Sequence, residues 1–176
     1  MNWIRISTRA WLALAAVALS SCADPTPLVQ DGDGDRAQGS VIGRLAGDLG
    51  LLSCSPLPYD SVTQVVGPTG GTIQVGPHEL RIPPGALPHP ASITAVVSPD
   101  PVNRVSFEPT GLTFLRNASL TMSYANCDLL GLLLPKRIAH VSGTLDILDY
   151  LLSVDDLTAQ EVTGRLAHFS QYAIAW

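Results

Sequence analysis

Residues 119–124 read Ser-Leu-Thr-Met-Ser-Tyr, a strict alternation of hydroxyl-bearing and larger apolar side chains. Successive side chains of a β-strand point to opposite faces of the sheet. Leu120, Met122 and Tyr124 therefore share one face, and the small polar residues share the other. This order predicts a strand with one face in a core and one face toward water, as in antiparallel sheets.

Similar short segments recur on both sides of this one, separated by Gly, Pro and Asn. Strands at regular short spacing predict an all-β fold, here a single antiparallel β-sandwich. The apolar segment Leu129–Leu134 contains Gly131 and is followed by Pro135, so we predict a loop that covers one end of the core. The other predicted strands are Ser61–Val66, Thr72–Val75, Glu79–Ile82, Ser92–Val97, Val102–Phe107, Leu112–Phe114, Ile138–Ser142, Thr144–Leu148, Glu161–Ala167 and Tyr172–Ile174.

The first 21 residues have a different composition from the rest of the chain. Arg5 and Arg9 precede an uninterrupted apolar run from Ala10 to Leu19. A membrane-spanning helix needs about 20 apolar residues, so this run is too short to span a bilayer. Basic residues followed by such a run are typical of a cleavable signal peptide, which we assign to residues 1–21.

The leader ends in Leu19-Ser20-Ser21-Cys22, which resembles the lipobox of bacterial lipoproteins. The resemblance implies cleavage before Cys22, a diacylglycerol on its thiol and further acylation with chains such as palmitate. The membrane would then be a partner through the lipid on Cys22. Ala23, rather than Asp, follows the cysteine, which favours the outer over the inner membrane. We expect an exported, lipid-anchored protein of the cell envelope; the alternative is an ordinary signal peptide with an incidental cysteine.

Residues 22–53 are rich in Gly and Pro and predict a flexible tether between lipid and domain. Three aspartates between positions 31 and 35 alternate with glycine, like the start of a calcium loop. Arg36 and Ile42 stand where an EF-hand loop needs glycine and an acid, so a solvated linker is favoured and no metal is expected. A short helix stays open as an alternative, on the helical spacing of Ile42, Leu45, Leu49 and Leu52.

Two cysteines, Cys54 and Cys127, remain once Cys22 carries the lipid. In an oxidising compartment an even pair predicts a disulfide. A metal pair is the alternative, but no Cys-x-x-Cys or paired histidine spacing supports it, and no cofactor is expected. The predicted β-sandwich domain therefore spans residues 54–176, beginning at the disulfide.

The net charge of the chain is −5, and its sequence contains no cluster of basic residues. Removal of residues 1–21 takes away Arg5 and Arg9 and no acid, which leaves −7 (−5 − 2). Nucleic-acid binding depends on neutralising phosphates with Lys and Arg. We therefore expect no nucleic-acid partner.

Three segments resemble the ZU-five domain, which is named for zonula occludens proteins and netrin receptors and also occurs in ankyrins. They are Gly67–Gly71 (GPTGG), His78–Pro88 (HELRIPPGALP) and Phe107–Phe114 (FEPTGLTF). The resemblance covers roughly residues 60–176 and implies a β-sandwich. In animal proteins this domain is usually an interaction module and not an enzyme.

The chain continues to His168-Phe169-Ser170, and in some relatives of this domain His-Phe-Ser is a self-cleavage site. The resemblance implies that Ser170 attacks the carbonyl of Phe169 in an N→O acyl shift, with His168 as the base. His140 is a second candidate base if it lies nearby. The alternative is a purely structural entry to the last strand, with Phe169 in the core.

The leading hypothesis from the sequence is a lipid-anchored, non-catalytic interaction or structural module, with an unidentified envelope protein or polymer as its partner. Self-processing at Phe169–Ser170 is the second hypothesis. The third is an envelope carbohydrate binder or hydrolase, because paired carboxylates are the tool of glycosidases. The candidate acids are Asp146, Asp149, Asp155 and Asp156. Asp155 and Asp156 are adjacent, so they would face opposite sides of a strand, and we predict that they form a turn between strands.

Overall fold

The structure, a computed structural model, describes residues 50–128 and 134–176. These residues form eleven β-strands and no α-helix, in two antiparallel sheets, which confirms the predicted all-β sandwich. The strands are β1 (Asp60–Val66), β2 (Gly71–Val75), β3 (His78–Ile82), β4 (Ala91–Val97), β5 (Arg104–Glu108), β6 (Thr113–Ser123), β7 (Arg137–Val141), β8 (Ile147–Tyr150), β9 (Ser153–Asp156), β10 (Glu161–His168) and β11 (Gln171–Ala175).

The two sheets divide the strands without following chain order. The six-stranded sheet has the order β1-β4-β5-β11-β7-β8, and the five-stranded sheet has the order β2-β3-β6-β10-β9. The consecutive strands β10 and β11 lie in different sheets. The chain therefore passes from one sheet to the other between His168 and Gln171.

The core lies between the sheets and follows from side-chain alternation. On β6, Ala118, Leu120 and Met122 are buried and the residues between them are partly exposed, as the period of two predicts. β11 differs because Tyr172, Ala173, Ile174 and Ala175 are all buried. As an inner strand of its sheet, it packs on the main core with one face and on a second apolar cluster with the other.

That second cluster includes a segment that precedes β1. Leu51 is buried and pairs with Ala175, and the backbone N–H of Leu52 donates to the carbonyl of Ile174 at 2.9 Å. Leu51 thereby covers the outer face of β11. Gly50 also contacts the domain, because its carbonyl accepts from the N–H of Trp176 at 3.2 Å, so residues 50–52 pack on the domain although they precede the predicted boundary at Cys54.

Cys54 and Cys127 form the predicted disulfide, at a sequence separation of 73 residues. The same two residues form an isolated antiparallel bridge. The bond joins the segment before β1 to the chain after β6. This end of the domain is therefore held by a covalent link as well as by packing.

The bounds of several predicted strands were wrong. The segments predicted at 112–114 and 119–124 fall on one long strand, β6, except for their outer residues Leu112 and Tyr124. Asp155 and Asp156, predicted as a turn, belong to β9, an edge strand where charged side chains can reach water. β8 begins only at Ile147, because a turn with Leu145 at a φ of 67° comes before it.

The predicted signal peptide, Cys22 and nearly all of the tether lie outside the described residues, as do residues 129–133 of the predicted loop. Of the residues at helical spacing in the tether, only Leu52 is described, and it lies in no helix. Within the described ranges, no helix has the length and hydropathy that a membrane span requires.

Candidate functional site

Phe169 and Ser170 form the connection between the two sheets. β10 ends at His168 with a register shift against β6, and the chain bends at Ser170 before β11 begins. His168 ends one strand and Ser170 lies just before the next, so the crossover separates them. The predicted scissile bond therefore lies at a bend and not within a regular strand.

The side chain of Phe169 is completely buried between two other aromatic rings. It stacks on Phe107 with ring centroids 5.1 Å apart and meets Phe114 edge-on at 5.0 Å. These are favourable aromatic geometries. Packing therefore holds the residue that contributes the carbonyl of the candidate bond.

The backbone around the same bond is held by the segment between β5 and β6. The N–H of Phe169 donates to the carbonyl of Leu112 at 2.8 Å, and the N–H of Gly111 donates to the carbonyl of Phe169 at 3.0 Å. On the other side, the N–H of Phe107 donates to the carbonyl of Ser170 at 3.0 Å. These three hydrogen bonds fix the orientation of the Phe169–Ser170 peptide.

The hydroxyl of Ser170 lies against a histidine from the neighbouring strand. Its Oγ is 2.7 Å from Nε2 of His140. The contact arises because β7 pairs with β11, with His140 opposite Tyr172 and Val141 opposite Gln171. When Nε2 is unprotonated, the Ser170 hydroxyl donates to it, which is the arrangement of a serine nucleophile and its base.

The surroundings of His140 favour the neutral form of its imidazole. Burial lowers the pKa of His140, and the nearby His168 lowers it further. The carboxylate of Asp149 acts in the opposite direction and raises this pKa. Asp149 is the direct partner of His140 in the β7–β8 register, so it stands where it can stabilise a protonated imidazole.

His168 occupies a different place from the one predicted. Its Nδ1 is 3.3 Å from the carbonyl oxygen of Phe169, and its ring centroid is 5.3 Å from that of His140. Its own carbonyl accepts a hydrogen bond from the Tyr172 hydroxyl at 2.6 Å. His168 thus faces the carbonyl of the candidate bond, while His140 faces the Ser170 hydroxyl.

The carbonyl oxygen of Phe169 therefore has two donors near it: the backbone N–H of Gly111 and, in the tautomer that carries its proton there, Nδ1 of His168. Donors placed at an oxygen that gains negative charge are the elements of an oxyanion hole. Gly111 was not singled out from the sequence as a site residue, although it lies within the Phe107–Phe114 segment. A backbone donor leaves no signal in a side-chain pattern.

A cavity of about 220 Å³ opens beside the two histidines. The rings of His140, His168 and Tyr172 line it, and Asp149 lies in its wall. It is large enough for several water molecules. Water can therefore come close to the imidazoles although Phe169 itself is buried.

The acids of the third hypothesis are engaged in separate local hydrogen bonds. Asp155 accepts from the Tyr124 hydroxyl and from the backbone N–H of Lys136, both at 2.8 Å. Asp156 accepts from two backbone N–H groups of the turn that follows it, and Asp146 accepts from Ser142 and Thr144. Across residues 50–128 and 134–176, no group of three or more His, Cys, Asp or Glu residues could hold a metal ion.

No family model matches the chain, and no curated protein shows significant sequence similarity to it. The arrangement around Phe169 and Ser170 therefore has to be judged on its own geometry.

Proposed function

We propose that this domain cleaves its own Phe169–Ser170 peptide bond. The observation that carries the proposal is the 2.7 Å contact between Ser170 Oγ and His140 Nε2, at a peptide whose carbonyl oxygen accepts from Gly111. The resemblance of His168-Phe169-Ser170 to the self-cleavage site of some ZU-five domains supports it. In this proposal His140 acts as the base, because its Nε2 contacts Ser170 Oγ, a role that the sequence assigned first to His168.

The chemistry follows from the positions of these groups. Ser170 Oγ attacks the carbonyl carbon of Phe169 and gives its proton to Nε2 of His140. The backbone N–H of Gly111 and Nδ1–H of His168 stabilise the negative charge that develops on the carbonyl oxygen. The C–N bond then breaks, protonated His140 gives its proton to the leaving nitrogen of Ser170, and an ester joins the Phe169 carbonyl to Oγ. Water hydrolyses the ester into a Phe169 carboxylate and a free Ser170 hydroxyl.

Cleavage by this route leaves the short product in place. Ser170–Trp176 has seven residues (176 − 169), and most of them form β11. That strand pairs with β5 on one side and β7 on the other, and its central residues are buried. The heptapeptide therefore stays bound in the folded protein, and only denaturation separates it.

The intact mass of the purified protein under denaturing conditions tests the proposal. We expect two species from the wild type, a chain that ends at Phe169 and the heptapeptide Ser170–Trp176. Ser170→Ala removes the nucleophile and should leave one uncleaved chain. Ser92→Ala, which alters an exposed serine on β4, is the matched control and should be cleaved like the wild type.

An uncleaved wild-type chain through Trp176 would contradict self-processing. Cleavage that continues in Ser170→Ala would point to a contaminating protease instead. The same spectra report the mass added at Cys22, so lipidation is read in the same measurement.

A second proposal concerns the protein as a whole: a lipid-anchored envelope module that does not act on an external substrate. The burial of Leu51 and Leu52 and the Cys54–Cys127 bond support it, because they join the end of the proposed tether firmly to the domain. The local hydrogen bonds of Asp146, Asp155 and Asp156 also favour a structural role for these acids over a glycosidase site.

Two measurements test this second proposal. Cys22→Ser should abolish incorporation of labelled fatty acid and release the protein from the membrane fraction. Purified protein should release no fragments from isolated envelope polymers. Hydrolysis that is lost when Asp155 is changed to Asn would support the hydrolase alternative instead.

A further inference from the structure

Three arginines lie close together in the strand pairing of the five-stranded sheet. Arg81 on β3 and Arg165 on β10 are both register partners of Ser119 on β6, one from each side. Arg116 lies three residues before Ser119 on the same strand. Arg81 forms an ion pair with Glu79 at 3.5 Å, so Arg116 and Arg165 are the two members of this group that carry the argument, in a chain whose net charge is −5.

Two of these arginines line one concavity of about 410 Å³. Its polar side chains are Arg116, Arg165, Asn117 and Ser119, and each of them can donate a hydrogen bond. Pro83 and Ala118 complete the lining. No carboxylate takes part in it, so the concavity offers donors and positive charge without a competing acid.

The cations elsewhere in the described part of the chain are already engaged. Arg104 forms an ion pair with Asp100, and the guanidinium of Arg137 lies 4.0 Å from the ring centroid of Tyr150. By contrast, the one hydrogen bond of the Arg116 guanidinium within the described residues goes to the carbonyl of Pro84, at 3.2 Å. Among residues 50–128 and 134–176, neither Arg116 nor Arg165 forms an ion pair with an acid. Their charges are therefore available to an anion from outside.

We propose that this concavity binds a phosphate monoester. A guanidinium presents a planar fork of donors that suits phosphate and carboxylate oxygens. A bidentate guanidinium engages both oxygens of a carboxylate, whereas a phosphate monoester has three terminal oxygens, which can accept from Arg116, Arg165 and Ser119 together. The phosphate can belong to a soluble phosphorylated sugar or to a lipid headgroup, since both present the same dianion.

The test uses the disulfide-bonded protein without its signal peptide, titrated first with inorganic phosphate and then with glucose 1-phosphate. Backbone amide shifts in an NMR spectrum report where each ligand binds. We expect saturable shifts around Asn117–Ser119 and Arg165. Since each guanidinium contributes charge-assisted hydrogen bonds, Arg116→Gln and Arg165→Gln should each weaken binding about tenfold.

Arg137→Gln is the matched control, because it removes one positive charge from the other sheet, and it should leave the affinity unchanged. All three positions are exposed, and the amide spectrum of each variant shows directly whether it folds. If all three variants lose phosphate affinity to the same extent, the binding is nonspecific electrostatic attraction, and the proposed site is wrong. Absence of saturable shifts would overturn it as well, and acetate that binds as well as phosphate would overturn the assignment to phosphate.

Vesicles distinguish the two sources of the phosphate. Co-sedimentation with vesicles of phosphatidylcholine and phosphatidic acid, reduced by Arg116→Gln, supports a lipid headgroup. Binding of glucose 1-phosphate without co-sedimentation supports a soluble phosphorylated sugar. If neither the sugar phosphate nor the vesicles bind, the proposal fails even where inorganic phosphate binds.

Discussion

Nε2 of His140 lies 2.7 Å from Oγ of Ser170, although thirty residues of chain separate them. The two residues meet because β7 pairs with β11, the strand that follows Ser170. His168 is only two residues from Ser170 but approaches the carbonyl of Phe169 instead. The pairing of strands, and not closeness in the chain, thus determines which histidine can act as the base.

Substitution of each histidine should separate these two roles. Loss of a general base typically slows a reaction by about 10²–10⁴, so we expect His140→Gln to slow self-cleavage by that factor. His168→Gln should slow the reaction by about 10², the lower end of the effect of losing one oxyanion donor, because the Gly111 donor stays in place. The measurement is the cleaved fraction against time after a pulse of cell-free synthesis. A greater loss in His168→Gln than in His140→Gln would restore His168 as the base.

The rate of self-cleavage should depend on pH through His140. A base acts in its neutral form, and the pKa of His140 is lowered from 6.5 by burial and by His168. We therefore expect a constant rate near pH 7 and a fall of about tenfold per pH unit below the pKa.

Asp149→Asn tests the cause of this profile. Asp149 raises the pKa of His140, so its removal should lower that pKa. The fall in rate on the acid side of the pH profile, the acid limb, should then move to lower pH. The rate on the plateau should fall too, because the protonated imidazole loses its carboxylate. Asp146→Asn, on the loop before β8, serves as the control and should leave the limb where it is. A limb that moves to higher pH in Asp149→Asn would contradict the assignment.

His78 should make the fold sensitive to acid. It is completely buried, its Nδ1 accepts from the backbone N–H of Ser123 at 3.2 Å, and burial lowers its pKa to about 4. The imidazole of His78 is protonated near pH 6.5 in the unfolded chain but only near pH 4 in the folded chain. Neutral His78 therefore contributes its full share of the unfolding free energy above pH 6.5, and this share is lost as the pH falls toward 4. Over this interval it amounts to about 3 kcal/mol of unfolding free energy.

The measurement is urea denaturation at pH 7 and at pH 4, for the wild type and for His78→Gln, which keeps an acceptor but cannot titrate. Other groups titrate equally in both proteins, so the difference between the two pH dependences belongs to His78. Parallel curves for the two proteins would refute the assignment.

The disulfide should contribute a large part of the stability. It closes a loop with a sequence separation of 73 residues, and the chain-entropy model assigns about 4 kcal/mol to a loop of this size. We expect the double variant Cys54→Ser, Cys127→Ser to lose roughly this amount of unfolding free energy in urea. A reductant should destabilise the wild type to the same extent and leave the double variant unchanged. Equal stability of wild type and double variant would show that packing alone holds this end of the domain.

Much of the fold could be predicted from local patterns. Alternation on segments such as 119–124 is enough to identify strands, because the side-chain period of two does not depend on the partner strand. Edge strands were harder to identify. β9 carries Asp155 and Asp156, and its residues are only partly buried or exposed, so its sequence does not differ from that of a turn.

The candidate site was predicted only in part, for a different reason. The residues of the candidate bond, Phe169 and Ser170, follow from a local motif, and the pairing of Cys54 with Cys127 follows from counting cysteines in a chain that the sequence predicts to be exported. The second donor to the Phe169 carbonyl is the backbone of Gly111, which no side-chain pattern can reveal.

The sequence by itself determined the strand-rich character of the chain, the cysteine pair and the position of the Phe169–Ser170 bond, because each depends on residues close together or on residue type alone. Only the tertiary structure decided that His140 meets the Ser170 hydroxyl and that His168 meets the carbonyl. Those contacts depend on the strand order β5-β11-β7 and on the crossover between the sheets. Strand order brings together residues far apart in the chain, and a single sequence carries no local signal of it.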